Sequence, residues 1–132
     1  MKRDMDLVRE LLLRLEAIDI PAGVLRPVSP HNPAFAFESH SPDDIGRHFA
    51  MLVSGGFVET GSPRPFGPDG SLMFRQLTWA GHDFLDSVRD PVLWKQTKDG
   101  ALKAGGWTFE LLKQLATGYA KLKIEEITGV KL

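Results

Sequence analysis

Nine prolines decide where this chain of 132 residues can be regular. Pro21, Pro27, Pro30 and Pro33 crowd residues 20–33, and Pro63, Pro65 and Pro68 crowd residues 62–70. A proline fixes φ and has no backbone donor, so neither stretch can carry a long regular element. The other two prolines, Pro42 and Pro91, suit the first turn of a helix, where the missing donor is not needed. What remains is a helical opening, a central block around 41–60, and a C-terminal block after 71.

The helices follow from periodicity and caps. Over 4–18, Leu7, Leu11, Leu15 and Ile18 form one stripe that Val8 and Leu12 widen, with Asp4 as the cap and Pro21 just beyond the end. Ser41-Pro42-Asp43-Asp44 is the clearest local signal: serine caps, proline takes the first helical position, and an acid lies three residues after the cap. The helix that follows buries Ile45, Phe49, Leu52 and Val53. It turns Asp43, Arg47, Ala50, Met51 and Ser54 outward, and Gly55-Gly56 ends it with Phe57 packing back. Thr78 caps a helix carrying Phe84, Leu85 and Val88. Another helix starts near Pro91, holds Val92, Leu93, Trp94 and Leu102, and ends near Gly105-Gly106. Thr108 caps the last, which carries Leu112, Leu115, Ala116, Tyr119 and Leu122.

Three short strands are expected, at Phe35–Glu38, 57–60 and 71–77, the last from its alternation of apolar and polar positions. The proline-rich loop 62–70 joins the second to the third. Helices covering one face of a small antiparallel sheet make an α+β domain. The element order is that of a winged helix with the loop as its wing. One helix of that fold is expected to be missing or reduced to a turn, because Phe37 leads almost directly into Ser41.

The net charge of -1 hides a division. Residues 1–90 hold nine Lys and Arg against thirteen acids, a balance of -4, whereas residues 91–132 hold seven lysines against four acids, a balance of +3. Every arginine precedes position 90, and every lysine except Lys2 follows it. The expected organisation is a winged-helix-like domain over 1–90 and a C-terminal helical extension over 91–132 packed on it, with Asp90-Pro91 as the joint. The balance excludes a uniform polycation but leaves room for a local basic edge. Hydrophobic residues at 42% and charged residues at 25% fit an ordinary globular chain. The absence of cysteine excludes disulfides and thiolate chemistry. There is no long apolar run and no signal-peptide core, so a cytoplasmic chain without a membrane partner is expected.

Several segments resemble a known family. Met1-Lys2-Arg3-Asp4-Met5-Asp6-Leu7-Val8-Arg9, the pattern Ile45, His48, Leu52, Gly56, Phe57, Val58, and Leu77-Thr78-Trp79-Ala80-Gly81-His82-Asp83-Phe84-Leu85-Asp86 are similar to domain of unknown function family 2513. Asp90 to Trp94 continues the likeness, while the proline-rich connector reads as a local insertion. The resemblance implies a winged-helix-like fold in a bacterial or phage setting, and no defined chemistry.

Two functions are compatible with these features. The first is a DNA-associated or transcription-regulatory factor that meets double-stranded DNA through Arg47, Ser54, Arg64 and Arg75. An arginine on the outward helix face can grip guanine edges, and a proline-flanked loop arginine can enter a minor groove. The second is an adaptor that binds proteins and no nucleic acid. Trp107, Phe109, Leu115 and Tyr119 give the C-terminal part an apolar surplus suited to a homodimer seam or a partner. His31, His40, His48 and His82 lack metal-ligand spacing, and hydrogen bonding is the expected role of His48 and His82. There is no nucleophile elbow, phosphate loop or dinucleotide fingerprint, so the chain reads as a non-enzyme without cofactor, metal or small-molecule substrate.

Overall fold

Helix α1 (Met5–Glu16) begins where Asp4 supplies an acceptor: its Oδ1 takes the N–H groups of Asp6 at 2.9 Å and Leu7 at 3.2 Å. Leu7, Leu11 and Leu15 are buried as expected, with Val8 and Leu12 beside them, but the helix ends at Glu16 and Ile18 lies past it, only half-buried. The structure is a computed structural model that describes residues 1–103 and 108–132, with the side chain of Phe109 also outside the description. The expected end of the fourth helix near Gly105-Gly106 therefore lies outside the described residues. The described chain is α+β, and it divides into two compact units, residues 1–82 and 83–132.

In the first unit, α2 (Pro42–Ser54) starts as its sequence dictates: Pro42 opens the helix and Ser41 Oγ accepts the Asp44 N–H at 3.2 Å. Ile45, Phe49 and Leu52 bury its inner face together with His48. The helix stops at Gly55-Gly56, where Gly56 takes φ +77° and Phe57 N–H donates to the Leu52 carbonyl at 2.9 Å.

The strands depart from expectation. Phe35–Glu38 is not a strand. A single 3-10 turn (Pro33–Phe35), capped by Asn32, occupies its start, and the first strand β1 (Arg26–Val28) lies upstream, inside the proline-rich connector. β1 pairs antiparallel with β3 (Leu72–Phe74), setting Val28 opposite Leu72, and β2 (Val58–Glu59) pairs antiparallel with β4 (Gln76–Leu77), setting Val58 opposite Leu77. Only Arg75 separates β3 from β4, and its N–H donates to the Glu59 carbonyl at 3.0 Å. The run 72–77 is thus shared between two partners. Pro27 is tolerated because β1 pairs on one side only.

The loop joining β2 to β3 is two limbs closed by a tight turn. Gly70 N–H donates to the Gly67 carbonyl at 3.0 Å, Gly67 N–H to the Ser71 carbonyl at 2.8 Å, and Met73 N–H to the Pro65 carbonyl at 2.9 Å. Pro68 at the second position and Gly70 at φ +83° suit such a turn.

Helix α3 (Trp79–Val88) follows β4 without a connector. Thr78 Oγ1 accepts the Gly81 N–H at 3.0 Å and donates to the Gly56 carbonyl, while Thr78 N–H donates to the Phe57 carbonyl. This brings the first turn of α3 so close to Phe57 that a Cβ at Gly81 would collide with the Phe57 carbonyl.

In the second unit, α4 (Pro91–Lys103) and α5 (Phe109–Thr128) pack as a helical pair. Asp90 Oδ1 caps α4 through the N–H groups of Val92 and Leu93, and its Oδ2 lies 3.4 Å from Lys123 Nζ on α5. Thr108 caps α5 as expected, taking the Leu111 N–H at 3.1 Å. Trp94 is buried, but Val92 and Leu102 are exposed.

Gly81→Ala is expected to cost about 2–3 kcal/mol, the scale of overpacking against immovable backbone. Urea unfolding measures it as a lower midpoint at unchanged slope; an unchanged midpoint refutes the close approach.

Candidate interaction groove of the first unit

Pro30 lies at the floor of this groove. Its ring is buried beside two glycines: a Cβ on Gly46 of α2 would stand 3.8 Å from Pro30 Cγ, and one on Gly70 of the loop 3.5 Å from it, both ordinary contacts. The outer face of α2 and the tip of the 61–71 loop are thereby held on either side of the Pro30-His31 segment. Between them runs a groove of about 590 Å³. Pro42, Ala50, Phe66 and Pro68 give it apolar walls, and Asp43, Arg47 and Asp69 give it charge.

Asp69 closes the turn of the loop wall. Its carboxylate accepts the Ser71 hydroxyl at 2.8 Å and the Ser71 N–H at 3.1 Å. These two bonds, side chain first, hold the Asp69 carboxyl below its ordinary value of 3.8, with His31 adding a small charge effect in the same direction. On the α2 wall, Asp43 and Arg47 are one turn apart, yet neither has an ion pair among the described residues. Both residues are exposed.

Of the residues expected to meet DNA, Arg47 alone lines this groove. Ser54 is exposed at the end of α2, with its hydroxyl donated to the Met51 carbonyl at 3.2 Å. Arg64 is exposed on the loop, where its N–H donates to Ser62 Oγ. Arg75 is exposed and lies along Gly61, where a Cβ would come within 3.1 Å of its Nη1. Neither Arg64 nor Arg75 forms an ion pair among the described residues.

The residues expected at a partner seam belong to the second unit. Trp107 and the Phe109 side chain lie outside the described residues. Leu115 and Tyr119 pack on α4 at Gly100, where a Cβ would stand 2.8 Å from the Tyr119 hydroxyl and 3.3 Å from Leu115 Cδ1. More open are Leu122, Ile124 and Ile127 further along α5.

Two of the four histidines, His40 and His48, hydrogen-bond through their rings. His48, 1% exposed, donates from Nδ1 to the Asp44 carbonyl at 2.8 Å and accepts the Asp4 N–H at Nε2 at 3.0 Å. His40 links Ser39 Oγ to Asp4 Oδ2, each at 3.0 Å, and its ring meets that of His48 edge-on. His82 does not take the hydrogen-bonding role expected of it: its ring is exposed, with Nδ1 3.7 Å from Glu16, beyond hydrogen-bond distance. Trp79, 91% exposed, makes no ring contact among the described residues. No group of three metal-ligating side chains occurs among the described residues, and none of their helices is long and apolar enough to cross a membrane.

Sequence reasoning missed the groove's far wall. Asp69-Gly70 announces a turn, but only the fold shows that the turn comes back over Pro30 and faces α2.

Residues 2–107 match the family described as hypothetical protein (DUF2513). An uncharacterized protein of Haemophilus influenzae is 34% identical over 98 residues, covering 74% of this chain and 76% of that one. No solved structure matches the chain with significance.

Removing the Ser71 hydroxyl tests the turn. Above pH 3.8 the ionised Asp69 favours the folded loop, and this contribution is lost as pH falls through the lower folded value. Ser71→Ala is expected to raise the Asp69 carboxyl toward 3.8, read by carboxyl NMR titration. An unmoved titration excludes the hydroxyl as the main cause.

Proposed function

The chain belongs to the DUF2513 family, and we propose that its first unit is a winged-helix-like, non-enzymatic interaction module whose α2–loop groove binds a partner protein. The order of α1, β1, a 3-10 turn, α2, β2, the loop and the run 72–77 supports the winged-helix-like reading. In it the 3-10 turn stands where a further helix would be, and the loop is the wing. A winged helix presents its second major helix and its wing to a partner, and these two elements form the walls of the groove.

The observation that carries the protein reading is the placement of Asp43 and Asp69 in the same groove as Arg47. A duplex seated there brings its phosphates against two carboxylates, one of them held below the ordinary carboxylate range. Protein surfaces meet mixed charge on apolar walls without that penalty.

Ala50→Trp fills the groove without touching a charged residue. It is expected to abolish co-purification of the partner from the native host, while Ile127→Asp on α5 leaves it intact. The reverse pattern assigns the contact to the second unit.

Arg47, Arg64 and Arg75, all exposed and without ion pairs among the described residues, favour a second reading: a DNA-associated regulatory factor of a bacterium or phage. In it Arg47 meets the major groove, Arg64 a minor groove, and Arg75 phosphate. The protein reading predicts no retardation of a labelled duplex in low-salt gel shifts. Retardation that weakens steeply with salt and mildly with Arg64→Ala installs the second reading in its place.

A further inference from the structure

We propose that the α2–loop groove takes a short extended segment of the partner protein, with a lysine or arginine side chain placed toward Asp43 and Asp69. This rests on the reading of the groove as a protein-binding site and names the chemistry of its occupant.

The charge inside the groove selects the sign. Asp43 has no hydrogen bond or ion pair among the described residues, so a ligand cation meets a carboxylate with all its lone pairs free. Asp69 has given two acceptor positions to Ser71, stays ionised through those bonds, and retains the rest. Arg47 is the opposing charge, and it needs no anionic ligand: a guanidinium donates to peptide carbonyls, which an extended segment presents along its length. A peptide with one cationic side chain therefore satisfies all three groups.

Shape and rigidity select the conformation. About 590 Å³ falls within the ordinary range of small ligand sites and accommodates a few side chains. The loop wall is closed on itself by the 67–70 turn, so little order must be gained there on binding. Half-exposed Phe66 and exposed Pro68 offer flat apolar surface to a proline or aliphatic neighbour of the cation.

The test is an amide NMR titration of the full chain with three probes: a capped proline-arginine-proline-leucine peptide, the same peptide with glutamate for arginine, and a short DNA duplex. The arginine peptide is expected to shift the amides of His31, Arg47, Ala50, Phe66 and Gly70. Asp43→Asn is expected to weaken its affinity by about threefold, the scale of a solvent-screened ion pair, and to flatten its salt dependence. The variant's own amide spectrum reports that it is folded. No shift with the arginine peptide, or affinity unchanged in Asp43→Asn, overturns the proposal. If the glutamate peptide alone shifts these amides, the cation is refuted while the protein-binding groove stands. If only the duplex shifts them, both fall.

Discussion

The position of α2 depends on one buried imidazole. His48 donates to the Asp44 carbonyl of its own helix and accepts the Asp4 N–H from the start of α1, so one ring ties two helix beginnings together. Asp4 is occupied at three points: its N–H goes to His48, Oδ1 caps α1, and Oδ2 reaches His40. An unpaired polar atom here would be buried at a cost of about 1–3 kcal/mol, so the arrangement is specified as well as stabilised. With His48 and Phe49 turned inward, Asp43, Arg47 and Ala50 must face out. The groove thus begins from the hydrogen bonding of a residue on its far side.

Local chemistry made the helix starts legible and left the strands obscure. Asp4, Ser41, Thr78 and Thr108 each accept the backbone donors their positions in the sequence promise, because a cap is a contact over two or three residues. Phe35–Glu38 misled because an aromatic alternation resembles a strand, whereas Asn32 and Pro33 wind the chain there into a turn. The true first strand, Arg26–Val28, has a proline at its centre and no alternation to speak of; it is a strand because residues 72–74 lie beside it. Pairing across more than forty residues leaves no local trace when the strand has only three members.

The same distinction governs the site. Arg47 was legible as an outward residue from helical spacing alone. That Asp69 would stand in the same groove was not, since it required the loop tip to fold onto Pro30, and that contact is made between residues with no shared pattern. Gly46 and Gly70 both lie beside the ring, and a Cβ at either would make only ordinary contact with it.

The partition of charge changes meaning once the units are known. Counted by compact units, residues 1–82 hold eight Lys and Arg against ten acids, and residues 83–132 hold eight against seven. The contrast of -4 and +3 shrinks to -2 and +1, because Asp83, Asp86 and Asp90, together with Arg89, fall with the lysines. All three acids are paired: Asp83 with Lys113 and Asp90 with Lys123, both at 3.4 Å, and Asp86 with Arg89 at 2.9 Å. Two of the seven C-terminal lysines, Lys113 and Lys123, thus spend charge joining α5 to acids that precede α4. In the first unit a single guanidinium shares the groove with two carboxylates on apolar walls, and on the proposed reading that local mixture of sign suits a peptide better than a polyanion.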